Sequence, residues 1–133
     1  YIGGEGVKVS VFLSPFDVHI NRAPIAGHVD FVDRHKGRFK AAYTDAASAE
    51  NEHSALGIAN GSMRVVVKQI VGVLARRIVC YPVAGDDLEL GERFGLIRFG
   101  SRVEHILPAS TRIEVAVGDR VVGGETVIGV YKP

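Results

Sequence analysis

Between Ser62 and Tyr81 the chain carries two runs dense in β-branched residues, Met63 to Ile70 and Val73 to Tyr81, parted by a glycine. Side chains branched at Cβ crowd a helix and fit a pleated surface, so the two runs read as buried, paired strands. Most of the remaining sequence follows suit. Val7-Lys8-Val9-Ser10-Val11-Phe12-Leu13 alternates apolar with polar and then turns wholly apolar, as a strand entering a core does, and Pro15 ends it. A further strand is expected around 27–32, turning at His35-Lys36-Gly37 and returning through 38–43 as a hairpin. Thr44 to His53, rich in Ala and Glu, is the one candidate helix, with a loop as the alternative.

The last third contains a quasi-repeat. Gly85-Asp86-Asp87-Leu88-Glu89-Leu90-Gly91-Glu92 and Gly118-Asp119-Arg120-Val121-Val122-Gly123-Gly124-Glu125 share the pattern G-D-x-φ-x-x-G-E, where φ is apolar. Asp accepts hydrogen bonds from turn amides and Gly supplies positive backbone φ, so two similar tight turns leading into two similar strands are expected. The pattern resembles the hammerhead units of biotinyl and lipoyl carrier domains. A carrier needs a lysine at a hairpin tip between the repeats, and none of Lys8, Lys36, Lys40, Lys68 or Lys132 stands in that setting. The architecture carried forward is mostly β with little helix: a single compact domain over 1–133, resembling a barrel-sandwich with two hammerhead-like turns.

A chain of 133 residues, 47% apolar, is long enough to bury one core. Its 16 basic and 15 acidic residues leave a formal charge of +1, and its few aromatics are not interleaved with a basic stripe, which argues against a nucleic-acid partner. The lone Cys80 excludes a disulfide framework and reads as a small buried hydrophobe in a reducing compartment. The longest apolar stretches fall short of the ~20 residues that span a bilayer, so a soluble or peripheral chain is expected. The opening at Tyr1, without an initiator methionine, reads as a fragment or a processed product.

Two Gly-Ser pairs occur. Gly61-Ser62, between Asn60 and Met63, reads as an ordinary turn, whereas Gly100-Ser101 lies within Gly91 to Val103, a block with a different context. Leu13-Ser14-Pro15-Phe16-Asp17-Val18-His19 resembles the L-S-P-x-D-x-H signature of phosphatidylserine decarboxylases, and Glu50-Asn51-Glu52 resembles the E-N-E-R stretch that follows it. Arg76 to Tyr81 and the block from Gly91 to Val103 are similar to the short bacterial form, in the same order along nearly the whole chain.

The resemblance implies that the chain is part of a proenzyme that cuts its own Gly100–Ser101 bond. Ser101 Oγ attacks the Gly100 carbonyl to give an ester by N-to-O acyl shift. Elimination then leaves dehydroalanine, and hydrolysis yields a pyruvoyl group. A β chain would end at Gly100 and an α chain would run from 101 to 133. Glycine gives the attack the least steric resistance. The pyruvoyl ketone is implied to form a Schiff base with the substrate amine and to accept the electrons released with carbon dioxide, converting phosphatidylserine to phosphatidylethanolamine. No metal motif is visible in the histidine spacings.

His19 is the implied general base, since a neutral imidazole can take the serine proton near neutral pH. Relatives often carry a second histidine three residues on. Here that position is Arg22, read either as a contact for substrate carboxylate or phosphate or as a solvated surface charge. His105 lies close enough behind Ser101 to line a pocket, and Asp17 could orient His19 or serve a turn after Pro15. The acid that completes the family's self-cleavage triad belongs to a P-A-D-G motif upstream of L-S-P, expected ahead of Tyr1 unless Asp17 substitutes. Arg34, His35, Lys36, Arg38 and Lys40 form either a contact for anionic lipid, at about 1 kcal/mol per basic residue, or a solvated hairpin tip. The implied partners are a phospholipid substrate, the cytoplasmic face of the cell membrane in peripheral contact, and the protein's own α and β chains, with a homo-oligomer left open. Two rivals stand beside this reading: a pyruvoyl decarboxylase for another headgroup such as archaetidylserine, and a non-catalytic barrel-sandwich fragment.

Overall fold

The alternation of apolar and polar residues resolves into two main sheets and a two-stranded ribbon. The computed structural model describes residues 1–12, 19–37, 51–72, 78–97, 101–123 and 125–131, with His19 described by its backbone alone. Among them are eleven strands and no helix: β1 (Gly6–Phe12), β2 (His19–Arg22), β3 (Gly27–His35), β4 (His53–Asn60), β5 (Met63–Ile70), β6 (Ile78–Cys80), β7 (Asp87–Leu88), β8 (Arg93–Ile97), β9 (Arg102–Pro108), β10 (Arg112–Ile113) and β11 (Gly129–Val130). A six-stranded sheet runs in the order β1-β9-β5-β4-β3-β7, a three-stranded sheet in the order β2-β8-β6, and β10 pairs with β11. All of these pairings are antiparallel.

Register decides which residues form the core. Leu56 lies opposite Val67 and Ile58 opposite Val65, while Val67 lies opposite His105, so these positions share one face of the large sheet. Val29, Leu56, Ile58, Val65, Val67, Val103 and Leu107 from that sheet join Cys80, Phe94 and Ile97 from the small one in a single buried cluster. Full burial of each such aliphatic or aromatic side chain contributes roughly 1.5–3 kcal/mol, so this interior is the main source of stability. The result is a mostly β, single compact domain in which two sheets pack face to face. The sheets do not close into a barrel: β1 and β7 remain edges of the large sheet.

The turn chemistry read from the sequence is present. Gly61 has φ +58° and, among the described residues, no non-glycine residue has positive φ, the sign pattern of a two-residue II′ hairpin joining Asn60 to its partner Met63. In the quasi-repeat, Gly85 and Gly118 have φ of +103° and +95°. Asp86 Oδ2 accepts from the Val83 amide at 3.0 Å, and Asp119 Oδ2 accepts from the Ala116 amide at 2.8 Å. The two turns are therefore built alike. The strands after them are not: β8 is the centre of the small sheet, whereas β11 is a two-residue strand beside β10.

One other expectation changes, and two fall wholly or mostly outside the described residues. The two β-branched runs do not pair with each other: β5 lies between β4 and β9, while β6, the described end of the second run, pairs with β8 in the other sheet. β3 is paired by β4 and β7, and its expected return strand, 38–43, lies outside the described residues. Of the candidate helix, 44–50 lie outside the described residues, Asn51 makes an isolated bridge and His53 begins β4.

Gly95 marks the tightest approach within the small sheet. A Cβ there would run into the Val79 carbonyl and stand 2.8 Å from Gln69 Nε2. Backbone of a paired strand cannot yield as a flexible side-chain end does, so Gly95→Ala is expected to lower unfolding free energy by about 1–3 kcal/mol. Urea denaturation monitored by circular dichroism measures this, and an unchanged midpoint would contradict it.

Candidate active site

β8 brings two distant parts of the chain to one end of the sandwich. His19, the first residue of β2, is the Cα partner of Ile97, the last residue of β8. Ser101 follows Ile97 by four positions and leads directly into β9, whose first residue, Arg102, is paired with Phe12 on one side and Ile70 on the other. Continued by one position, the β5·β9 register carries Ser101 toward Val71, whose carbonyl accepts Asn51 Nδ2 at 2.8 Å. Ser101 is only 1% exposed.

A buried ion pair fixes the backbone just past the serine. Arg102 and Glu104, both buried, lie two residues apart on β9, and Arg102 Nε donates to Glu104 Oε2 at 3.0 Å while Nη2 donates to the same oxygen. Lys8 Nζ approaches that oxygen to 3.6 Å, and the Arg102 guanidinium carbon stands 5.4 Å from the Phe12 ring centroid. Removing one partner of such a pair strands a charge in a poorly solvated place, and Lys8 and Phe12 of β1 join the pair to the neighbouring strand.

Beside it, a chain of neutral polar side chains crosses the interior. Ser54 Oγ donates to Gln69 Oε1 at 2.6 Å, and Gln69 Nε2 donates to Asn21 Oδ1 at 2.7 Å and to the Val79 carbonyl at 3.2 Å. Gln69 is fully buried, with Ser54 at 3% and Asn21 at 6% exposure. The network ties β5 and β4 of the large sheet to β2 and β6 of the small one. It therefore sets where β2 lies, two residues after His19.

Arg22 closes β2 beyond an irregularity. Asn21 faces Gly95 but Arg22 faces Arg93, so Phe94 is the extra residue of a bulge. Asn21 and Arg22 both line one cavity of about 610 Å³ bordered by β2, β9 and residues 121–123 and 125–129. Arg22 Nη1 donates to the Gly91 carbonyl at 3.0 Å. His105 lines the same cavity from β9. Its Nδ1 is buried and has no hydrogen-bond partner among the described residues, and burial pushes its pKa down against an opposing pull from the Val9 backbone.

The remaining candidates are placed as follows. Gly100 and Asp17 lie outside the described residues, as does the His19 side chain. Cys80 is buried and unpaired, and burial pushes its thiol pKa up, which suits an inert core thiol. Among the described residues, no group of three or more His, Cys, Asp or Glu is placed to hold a metal ion. Of the basic cluster, Arg34 is tied inward, its Nη2 donating to the Cys80 carbonyl at 2.6 Å, while Arg38 and Lys40 lie outside the described residues. Sequence reasoning missed the Gln69 network and the Arg102–Glu104 pair. The visible signal was a polar residue inside an apolar run: Gln69 interrupts Val65 to Ile70, and Glu104 follows Val103.

Residues 3–129 match the family model of phosphatidylserine decarboxylase. The chain belongs to the phosphatidylserine decarboxylase family. It is 52% identical over 130 residues to a protein of Symbiobacterium thermophilum, 50% identical over 133 to one of Syntrophotalea carbinolica and 47% identical over 131 to one of Geobacter sulfurreducens, each named a phosphatidylserine decarboxylase proenzyme. These alignments cover 97–99% of the chain but 60–62% of those relatives, so the chain spans about 60% of their length. No solved structure matches.

Two histidines of this decarboxylase-family chain make its stability pH-dependent. His105 is held below the ordinary histidine pKa by burial. His53 is held below it by burial and by the neighbouring Lys68 and His35, against the Asn51 carbonyl and Glu104. Each binds its proton more weakly folded than unfolded, so the stabilisation is complete above the unfolded pKa near 6.5 and is lost as pH falls through the folded values. The slope is at most about 1.4 kcal/mol per pH unit for each group. Thermal melting is expected to fall between pH 7.5 and 5.5, and His105→Leu is expected to flatten that dependence. An undiminished slope in the variant would show that His105 does not carry it.

Proposed function

We propose that the protein is a pyruvoyl-dependent decarboxylase that converts phosphatidylserine to phosphatidylethanolamine, matured by cleavage of its own Gly100–Ser101 bond. The observation that supports this reading is Ser101 itself: a buried serine, preceded in the sequence by glycine, that leads into β9 four positions after Ile97, the Cα partner of His19. The names of the relatives as proenzymes support maturation by processing.

The residues present fit the group that maturation would create. A pyruvoyl group needs surroundings that keep bulk water from the ketone, and the burial of Ser101 fits that requirement. Once formed, the group supplies an electron sink for breaking the bond to the substrate carboxylate. The chain's own part is positioning and proton transfer. His19 is proposed to take the Ser101 hydroxyl proton, freeing Oγ to bond to the Gly100 carbonyl carbon while the Gly100–Ser101 amide bond breaks. Loss of the Ser101 Cα proton then expels the Gly100 carboxylate, and water replaces the nitrogen to leave the ketone and ammonia. The pair Arg102–Glu104 holds the main chain one residue beyond this event, and Arg22 is proposed as the substrate's anion contact, with His105 beside it. Asp17 is kept as the acid that orients His19.

The substrate is a bilayer lipid, so the reaction is proposed to run at the cytoplasmic face of the cell membrane with the protein in peripheral contact. Lys36, exposed beside β3, is the described residue of the basic segment best placed to add lipid attraction, since Arg34 is occupied at Cys80.

In the full-length protein, denaturing mass spectrometry is expected to find a fragment that starts at residue 101 with a blocked N-terminus. Ser101→Ala is expected to leave one uncleaved chain with no carbon dioxide release from phosphatidylserine. His19→Ala should slow processing by at least about 100-fold, the usual contribution of a positioned base. An uncleaved chain that decarboxylates phosphatidylserine would sink the mechanism, and faster release from archaetidylserine would reassign the headgroup.

A further inference from the structure

The cavity between β2, β9 and segment 121–129 combines one unneutralised cation with apolar walls. Arg22 is partly buried and makes a single hydrogen bond, to the Gly91 carbonyl, among the described residues, and no carboxylate there lies within ion-pair distance of it. A guanidinium has five N–H donors, so most of this fork stays available to an anion with two acceptor oxygens. Glu125 also lines the cavity, but it is solvent-exposed. Around the arginine the walls are aliphatic: Val11 of β1, Val103 of β9, and Val121, Val127 and Ile128 of the C-terminal segment. The volume, about 610 Å³, lies within the range of roughly 300–1,000 Å³ typical of sites that enclose a small organic ligand.

We propose that this cavity is the phospholipid site, with Arg22 gripping the phosphodiester and the valine-lined wall taking one acyl chain. The inference rests on the decarboxylase reading and adds to it the position and orientation of the lipid. Charge complementarity selects the occupant. A phosphodiester presents two oxygens to a fork that has no carboxylate partner, whereas a wholly apolar ligand would leave the guanidinium buried without compensation. Two residues of its wall lie close in the chain to the proposed reaction centre. Ile20 in its wall follows His19, and Val103 in its wall lies two positions after Ser101, roughly 7 Å along an extended strand. A lipid held at Arg22 thus directs its headgroup along β2 and β9 toward Ser101, while its chain lies against segment 121–129.

The test separates binding from turnover by using full-length Ser101→Ala protein, which cannot mature, and titrating it calorimetrically with dihexanoyl phosphatidylserine, glycerophosphoserine and inorganic phosphate. Arg22→Gln is expected to weaken both phosphodiester ligands by at least about tenfold, the loss of one charge-assisted hydrogen bond. Arg22→Lys should restore part of that loss. Val127→Trp, at an exposed position of the cavity wall, should weaken the dihexanoyl lipid several-fold and leave glycerophosphoserine unchanged. Thermal melting of each variant checks that it is folded. Parent-like affinity in folded Arg22→Gln overturns the phosphate contact. Equal affinity for the lipid and for inorganic phosphate, or a Val127→Trp variant that binds the lipid normally, overturns the acyl site. Mass analysis of the wild-type protein reports independently on cleavage after Gly100. Intact binding with no cleavage would refute the maturation mechanism and leave this site standing.

Discussion

A fully buried amide, that of Gln69, holds the two sheets in a fixed relation. Apolar packing between Phe94, Ile97 and the valines of β5 and β9 is strong but tolerates sliding, because dispersion contacts have little directionality. Gln69 removes that freedom. Its oxygen takes the Ser54 hydroxyl and its nitrogen serves both Asn21 and the Val79 carbonyl, so a shift of β2 or β6 against the large sheet would leave polar atoms unpaired in a dry interior. Each such loss costs about 1–3 kcal/mol, a large share of a domain's net stability. β2 carries the backbone of His19 to Ile97 and delivers Arg22 to the cavity, so both halves of the proposed site inherit their positions from this one side chain.

The site also depends on a local departure from regularity. The bulge at Phe94 of β8 interrupts the ladder between Asn21 and Arg22, and both residues border one cavity, the first as part of the buried network and the second as its cation. Asn21 Oδ1 gives the network its acceptor inside the sandwich, and Arg22 puts a charge at the edge of the cavity.

Local chemistry was legible in the sequence, and pairing was not. Met63 to Ile70 is read as a strand with the bounds that β5 has, Gly61-Ser62 is a turn, and each G-D turn closes through the aspartate oxygen and the positive-φ glycine expected of it. All of these are decided by residues a few positions apart. The partners of β5 and β6 are decided by contacts tens of residues away, and β-branched composition says only that a strand is buried, not in which sheet. Resemblance of the turns likewise carries no information about edges, and the sheets stay open at β1 and β7. In the site, Ser101 and Arg22 stand out by chemical type. Gln69 is hidden within an apolar run, where its function as a bridge depends on Asn21, 48 residues earlier in the chain.

The position of β9 bears on how a chain cut ahead of Ser101 could stay assembled. β9 is an inner strand, paired with β1 from Gly6 to Phe12 and with β5 from Val66 to Ile70, and its Val103 and Leu107 belong to the core. A break between residues 100 and 101 would remove one covalent bond but none of these ladder hydrogen bonds, and the buried Arg102–Glu104 pair would still anchor the new chain end within one residue of the cut. A serine at the start of a central strand, rather than at an edge or a loop tip, would let the proposed cleavage change the chemistry of the site while leaving its walls in place.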